Sequence, residues 1–232
     1  MAALARALRA VLARLLAAGA AAMMFFAGMH HPQDAWRVPA AFISAHVLAV
    51  RRSGFRARRW VLDSGAFQTI ELHGGYPESA ETYAALIRRY AGNGQLLAAV
   101  AQDFMCEGFM LERTGGTIAD HQQWTIERYD ALRSCDLAGV RIMPVLQGYA
   151  PADYAAHVRA YGARLEPRAW VGVGSVCKRN GRPAAIEAVL LAIKQERPDL
   201  RLHGFGVKLT ALGSQLVRTL LFSADSTAPV AR

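Results

Sequence analysis

The sequence predicts an α/β protein built as a (β/α)8 TIM-type barrel, and two observations support this. Eight short apolar runs of strand length recur along the chain, and most are continuous rather than alternating, which is typical of strands buried on both faces of a parallel sheet. Helix patterns with defined first and last residues lie between several of them. Eight strands favour a closed barrel, and a doubly wound open sheet is the alternative.

The predicted strands are spaced along nearly the whole chain. Only the link between the first two lacks a clear helix pattern, so the first unit is predicted to be irregular. The eight runs comprise residues 25–29, 41–48, 60–63, 96–103, 141–148, 169–175, 202–208 and 220–225.

The predicted helices have recognisable ends. Ser79 is a good N-cap for a helix with one apolar stripe, and the Gly-Asn-Gly of residues 92–94 stops it. Thr117 with Asp120 is the pattern of a second N-terminus, and proline is well tolerated at a first helical position. Four further helices are therefore predicted to begin near Thr117, Pro151, Pro183 and residue 209.

Composition favours one globular domain. A chain of 232 residues that is 53% apolar can bury a substantial core, and no linker or low-complexity segment follows residue 22, so residues 23–232 are expected to form a single barrel domain. Residues 1–22 consist almost only of Ala, Leu and Arg and are interpreted as an extension outside the fold. A signal peptide, a transit segment and an upstream start are the alternatives. The uncharged stretch of residues 15–29 is shorter than the roughly 20 residues of a membrane span, so no membrane partner is expected.

The charge and the cysteines restrict the partners and the compartment. A net charge of +9 and a pI near 10.0 favour binding to a polyanion such as nucleic acid, with a merely basic surface as the alternative. Three cysteines without C-x-x-C spacing support neither a disulfide framework nor a zinc site, and indicate a cytoplasmic protein. His30 and His31 could line the mouth of a barrel, but no third metal ligand is evident.

Polar residues follow most of the predicted strands at their carboxyl ends. One such residue is most simply a turn or cap residue. In a (β/α)8 barrel, however, the carboxyl ends of all strands meet at one mouth, where active sites form. The residues concerned are Asp63-Ser64-Gly65, Gln102-Asp103, Gln147-Gly148, Gly174-Ser175, Lys208 and Asp225-Ser226.

These motifs also carry a family resemblance. LDSGAFQ, QDF, LQG, VGVGS, GFGVK and SADS resemble, in order and strand position, the motifs of tRNA-guanine transglycosylases. The longer stretches FFAGMHHPQDA, WVLDSGAFQTIELHGGY, AVAQDFMCE, VGVGSVCKR and HGFGVK are more similar to the 7-deazapurine DNA-modification transglycosylases (DpdA-like) of phages and bacteria. The resemblance covers residues 24–228. Ala66, in place of the second glycine of the transglycosylase motif, is a feature that the DNA-modification branch allows.

The resemblance implies a pentosyltransferase that exchanges guanine in DNA for a 7-deazaguanine derivative such as preQ0 through a covalent glycosyl-aspartate intermediate. No cofactor beyond this co-substrate is expected, and DNA, the base and partner proteins of a DNA-modification system are the expected partners. A tRNA-guanine transglycosylase is one alternative, although the zinc segment of the tRNA enzymes has no counterpart. An inactive, truncated barrel that binds nucleic acid is the other.

By the same resemblance, Asp225 is the nucleophile and Asp63 the general acid/base. Asp103 is expected to accept hydrogen bonds from the ring N–H and the amine of the base. Gln147 and backbone N–H groups near Gly172 and Gly174 are expected to bind the carbonyl oxygen of the base. Phe67 is expected to stack on the base. The residues assigned to base binding are Ser64, Phe67, Asp103, Gln147, Gly172 and Gly174. Phosphate contacts are assigned to Lys178, Arg179 and Arg182, with a solvated basic loop as the alternative.

The C-terminus departs from a standard barrel. Arg232 follows Asp225 by only seven residues, and the intervening segment cannot supply a helix to cover the eighth strand. A barrel without its last helix is therefore expected. Truncation or frameshift of the chain, or cover from a neighbouring chain or from residues 1–22, are the explanations that remain open.

Overall fold

Nine parallel strand segments form one sheet in the computed structural model, which describes residues 23–226. The order across the sheet is β5-β4-β3-β2-β1-β9-β8-β7-β6, so strands that pair in the sheet are consecutive in the chain, except where β1 pairs with β9. The segments are β1 Met24–Met29, β2 Ala40–Ser44, β3 Arg59–Asp63, β4 Gln95–Val100, β5 Ile142–Met143, β6 Val145–Leu146, β7 Trp170–Val173, β8 Arg201–Gly204 and β9 Leu221–Ser226.

The two ends of this sheet are one interrupted strand. Only Pro144 separates β5, which pairs with β4, from β6, which pairs with β7. Proline has no N–H to donate to a ladder, but the Pro144 carbonyl still accepts from the Gly172 N–H at 2.8 Å. Counted as one strand, residues 142–146 close the sheet into an eight-stranded barrel. The predicted (β/α)8 TIM-type fold is confirmed.

Helices lie between the strands, and the predicted caps are present. The Ser79 side chain accepts from the Thr82 N–H, and Thr117 and Asp120 form a reciprocal capping box. Pro151 and Pro183 each occupy the first turn of a helix. The α-helices are α1 Ala45–Ala49, α2 Ala66–His73, α3 Ala80–Tyr90, α4 Gly108–Thr114, α5 Ile118–Arg133, α6 Pro151–Tyr161, α7 Pro183–Glu196, α8 Leu209–Leu212 and α9 Gln215–Leu220.

Several predicted boundaries were wrong. The apolar run 41–48 is a strand only to Ser44, because the Ser44 hydroxyl accepts from the His46 N–H at 3.3 Å and caps α1. The helix predicted from residue 209 is two short helices, since Ser214 caps a new one. Strands β4, β7 and β8 end at Val100, Val173 and Gly204, so the polar residues that follow them lie in loops at the mouth. The irregular first link contains the 3₁₀-helix Pro32–Arg37.

Helices α2 and α4, which the sequence did not predict, pack together above the mouth. A small apolar cluster, separate from the main core, holds them there; it comprises Ala66, Ile70, Phe104, Met105 and Met110. Arg113 of α4 also donates to the carbonyls of Glu71 and Leu72 at the end of α2, at 2.9 and 2.6 Å. The two helices therefore form one lid-like wall on this side of the barrel.

Aromatic side chains fill part of the barrel interior. The His203 ring of β8 stacks on Phe42 of β2 with ring centres 5.2 Å apart, although two strands lie between β8 and β2 in the sheet. Phe26 of β1 contacts both Phe42 and Trp170 of β7. Contacts between non-adjacent strands place these rings inside the barrel.

Two sequence predictions fall outside the described residues: the extension of residues 1–22, and the missing helix after β9, where the description stops at Ser226. Between residues 23 and 226, no helix has the length and apolar composition needed to cross a bilayer.

We expect Gly65→Ala to destabilise the fold more than Gly115→Ala. Both glycines have φ near +70°, which costs an alanine about 1 kcal/mol. A Cβ on Gly65 would also lie 2.4 Å from the His46 ring, whereas one on Gly115 would meet nothing within 4 Å. Urea unfolding should show a loss of about 1 kcal/mol for Gly115→Ala and at least about twice that for Gly65→Ala. Equal losses would contradict the crowding at Gly65.

Candidate active site

A cavity of about 530 Å³ opens at the carboxyl ends of the strands, a volume typical of small-molecule sites. Its acidic lining comes from three different strand ends or the loops that follow them, those of β3, β4 and β9, as the barrel topology requires. Predicted site residues that line this cavity are Asp63, Phe67, Asp103, Gln147, Gly174, Lys178 and Asp225.

Asp63 is the last residue of β3, and α2 begins just after it. The pKa of this carboxyl is raised to about 7. Burial is the largest cause and the nearby charges of Asp225 and Asp103 add to it, while hydrogen bonds from the Gly65 and Ser64 backbone act to lower the pKa. A carboxyl with such a pKa holds a proton near neutral pH and can also release one. These are the properties of a general acid/base.

Asp103 is held by its backbone as well as by its side chain. Its N–H donates to the Tyr76 hydroxyl at 3.0 Å, and that hydroxyl donates back to its carbonyl at 2.9 Å. The pKa of the Asp103 carboxyl is raised to about 7, mainly by burial. A hydrogen bond from Gln147 acts to lower this pKa, and the charge of Glu107 acts to raise it. The side chain is therefore fixed in place and can take either protonation state.

Gln147 is fully buried, and its neighbours determine the direction of its amide. Its Nε2 donates to Asp103 Oδ2 at 2.5 Å, and its Oε1 accepts from the Ser175 hydroxyl at 3.1 Å. A Cβ on Gly174 would lie 2.1 Å from this Nε2, so only glycine lets the amide lie against the end of β7. The result is a rigid chain of polar groups from Ser175 through Gln147 to Asp103.

Asp225 lies near the end of β9 and is nearly buried. Its Oδ1 lies 3.2 Å from His203 Nε2 and accepts from the Gly206 N–H at 3.0 Å. Among the described residues, these hydrogen bonds to the Asp225 carboxylate both involve Oδ1. The carboxylate is thus held by one oxygen while it lines the cavity.

Two aromatic rings and a lysine form the rim of the cavity. Phe67 at the start of α2 makes an edge contact with Phe109 of α4, with ring centres 6.0 Å apart. Lys178 Nζ lies 4.9 Å from the centre of the Phe67 ring and 5.6 Å from that of Phe109, within cation–π range. Because Phe67 and Phe109 remain partly exposed, this rim offers both a ring face and a positive charge to a ligand.

The other predicted site residues do not line this cavity. Gly172 is buried where a Cβ would collide with Phe205 at 2.4 Å, and Ser64 faces a neighbouring cavity while its hydroxyl helps to lower the pKa of Asp103. Arg179 packs over the Tyr149 ring at 5.2 Å, and Arg182 is exposed at the start of α7.

The backbone donors predicted to bind the base are used by the barrel itself. The N–H groups of Gly172 and Gly174 donate to the carbonyls of Pro144 and Leu146 at 2.8 and 3.0 Å. The Ser175 hydroxyl on this side of the cavity already donates to Gln147 Oε1, and one of the two Gln147 amide hydrogens goes to Asp103.

Sequence reasoning missed several residues that shape the cavity. Glu107, only 7% exposed, lines it and has an Oε2 without a hydrogen-bond partner among the described residues. Tyr76 fixes the Asp103 backbone from a loop, and Phe205 contributes an aromatic wall. The one available signal was position, since Glu107 and Phe205 lie close to motifs that end strands.

Two other sequence features have simple structural explanations. The basic run 51–59 leads into the amino end of β3, opposite the mouth, and its Phe55 packs on Trp60 and Tyr90 in the core. His30 lines the cavity, but within residues 23–226 no three His, Cys, Asp or Glu side chains are grouped as metal ligands.

Comparison with known proteins agrees with this geometry. The model of the family described as DpdA, DeoxyPurine in DNA protein A, matches residues 22–230. The chain belongs to the DpdA family. The match spans nearly the whole chain and all strand ends of the site. A search of curated proteins returned no significant match. The predicted family is thus confirmed, and within this DpdA family member the roles of the individual residues stay predictions.

We expect Asp63→Asn to stabilise the protein increasingly as pH rises. The pKa of Asp63 in the folded state, about 7, lies above its ordinary value of 3.8. Between about pH 4 and pH 7 the folded state therefore binds more protons than the unfolded state, so the stability of the wild type falls as the pH rises through this range. Asparagine removes this cost. Thermal unfolding at pH 4 and pH 8 should show an advantage of several degrees for Asp63→Asn at pH 8 only. Glu112→Gln, a change at an exposed carboxylate, should show none; a pH-independent effect of Asp63→Asn would contradict the raised pKa.

Proposed function

We propose that this chain exchanges guanine in DNA for a 7-deazaguanine derivative through a glycosyl-aspartate intermediate. The observation that carries the proposal is the convergence of Asp63, Asp103 and Asp225 on one cavity of a DpdA family member, with two of the carboxyl pKa values near 7. Such carboxylates, in different environments, can divide nucleophilic and acid/base roles between them.

In the first half of the reaction, an oxygen of Asp225 forms a bond to C1′ of the target nucleotide while the bond from C1′ to the guanine nitrogen breaks. The departing guanine takes the proton of Asp63, so it leaves as a neutral base and Asp63 becomes a carboxylate. Because Oδ1 of Asp225 already interacts with His203 and Gly206, Oδ2 is the attacking oxygen.

In the second half, the incoming 7-deazaguanine gives its ring-nitrogen proton to Asp63. That nitrogen forms a bond to C1′ as the bond from C1′ to Asp225 breaks. Protons and electron pairs then balance over the cycle, and both carboxyls return to their starting states. A pKa of about 7 suits a group that must donate and then accept.

Both bases present the same recognition edge, a ring N–H beside an exocyclic amine. Asp103 can accept from this edge, and its carboxylate is held by Gln147 and by Tyr76 through the backbone. Guanine and 7-deazaguanine can therefore occupy one subsite in turn.

The substrate strand must present an unpaired or flipped nucleotide, since a stacked base cannot enter the cavity. The rim of Phe67, Phe109 and Lys178 suits this, because aromatic faces stack on bases and a cation meets phosphate. The net charge of +9 supports attraction to a polyanion.

The proposal is tested by incubating the full chain with guanine-labelled DNA or tRNA and a 7-deazaguanine, and measuring release of label. Release from DNA alone supports the proposal. Release from tRNA alone would replace DNA by tRNA as substrate. If neither releases label, the exchange activity is disproved for the chain by itself, and repeating the assay with extract of its source cells tests a requirement for partner proteins.

Substitution of the two catalytic candidates should separate their roles. Asp225→Asn should abolish release and the covalent DNA adduct seen on denaturing gels. Asp63→Asn should lower the rate about 10²- to 10⁴-fold, the usual contribution of a general acid/base. Wild-type release should decline above pH 7 as Asp63 loses its proton. Glu112→Gln is the charge-matched control and should behave as wild type. Retained release in Asp225→Asn would assign the nucleophile elsewhere.

Lys178→Gln should weaken DNA binding more than Arg59→Gln does. Each change removes one positive charge, but Lys178 lies on the rim and Arg59 at the amino end of β3, on the opposite face of the barrel. The slope of log K against log salt should fall by about 0.7 to 0.9 for Lys178→Gln and stay constant for Arg59→Gln. Equal changes in fluorescence-anisotropy titrations would place the DNA elsewhere.

A further inference from the structure

A chain of hydrogen-bonding groups runs through the barrel interior to Asp225. Trp170 Nε1 donates to Ser223 Oγ at 2.8 Å, Ser223 Oγ lies 2.9 Å from His203 Nδ1, and His203 Nε2 lies 3.2 Å from Asp225 Oδ1. His203 and Ser223 are both 0% exposed, so water does not compete for these contacts. A purely structural role for His203 does not account for this series of hydrogen bonds.

The donor at one end and the acceptor at the other determine the tautomer of His203. An indole N–H can only donate, so Ser223 accepts from Trp170 and has its own hydrogen available for His203 Nδ1. At the other end a carboxylate only accepts, so the imidazole hydrogen must lie on Nε2. A neutral imidazole satisfies both requirements at once: it accepts from Ser223 at Nδ1 and donates to Asp225 at Nε2.

The His203 ring has little freedom to leave this orientation. It stacks on Phe42 with an angle of 12° between the rings, and Phe205 contacts it edge-on with centres 4.9 Å apart. The second donor to Asp225 Oδ1, the Gly206 N–H, comes from the loop that follows β8. Two fixed donors thus hold the same oxygen.

We propose that His203 is a positioning residue for the nucleophile: its Nε2–H, oriented by Ser223 and Trp170, fixes Asp225 Oδ1 so that Oδ2 faces C1′ of the substrate. This inference rests on the proposed exchange reaction. Small errors in the placement of a reacting atom can cost about 10²-fold in rate, so the expected effect is on turnover and not on base binding.

Two amide substitutions distinguish positioning from packing. The amide nitrogen of glutamine can occupy the place of His203 Nε2, whereas that of asparagine reaches only the place of Nδ1. Both introduce an uncharged amide among the same rings, so both should lower the melting temperature similarly. We expect His203→Asn to lower kcat about 10- to 100-fold with less than a threefold change in the KM for the base, and His203→Gln to recover most of this loss.

The measurements are the rate of label release from DNA, the fraction of covalent adduct formed in a single turnover, and thermal unfolding of each variant. Lower kcat and less adduct in His203→Asn than in His203→Gln, at equal melting temperature, support the inference. An equal loss of kcat in both variants, or no loss in either, overturns the positioning role of His203. The proposed function still stands in that case, provided that the wild type releases label. Absence of release from the wild type would overturn the function itself, and with it this inference. Ser223→Ala should give an intermediate kcat, because Nδ1 then loses its donor.

Discussion

The cost of burying several carboxyl groups in one closed barrel mouth is the constraint on which the site depends. Closing the sheet through residues 142–146 brings the ends of β3, β4 and β9 around a single cavity, and their aspartates cannot all be ionised there at low energetic cost. The pKa values of Asp63 and Asp103 near 7 express this cost. The molecule retains a destabilising arrangement at the place where the proposed reaction needs proton transfer, as functional sites commonly do.

The surrounding residues reduce the freedom of these carboxyls without removing their proton chemistry. Tyr76 fixes the backbone of Asp103, Gln147 binds its side chain, and Gly174 leaves the space that the Gln147 amide requires. The hydrogen bond from Gln147 also lowers the pKa of Asp103, whereas the nearby charge of Glu107 raises it. An incoming base with two donors on one edge would meet an acceptor whose position is already set.

The sequence predicts the barrel well because its signals are local. Apolar runs and caps such as Ser79 and Thr117 depend on a few neighbouring residues, and the strand-end position of Asp63 follows from them. The predicted end of a strand was wrong where a side chain caps a helix within an apolar run, as Ser44 does at the start of α1. The use of the Gly172 and Gly174 N–H groups could not be predicted, because it depends on the register against a strand interrupted by Pro144. Tyr76 and His203 act through contacts distant in sequence, which periodicity does not reveal.

The two catalytic candidates differ because their environments differ. Burial of Asp63, together with the nearby charges of Asp225 and Asp103, raises its pKa and favours its protonated form and the role of an acid. Asp225 has instead two N–H donors on one oxygen, which favours a fixed carboxylate with its other oxygen available for attack. A protonated His203 would donate equally well at Nε2. Its Nδ1 would then also donate, so Ser223 Oγ would have to accept from both His203 and Trp170, and the serine hydrogen could no longer be donated to Nδ1. The neutral ring satisfies every group in this series of hydrogen bonds, so the hydrogen-bond network, more than charge attraction, determines where the Asp225 carboxylate lies.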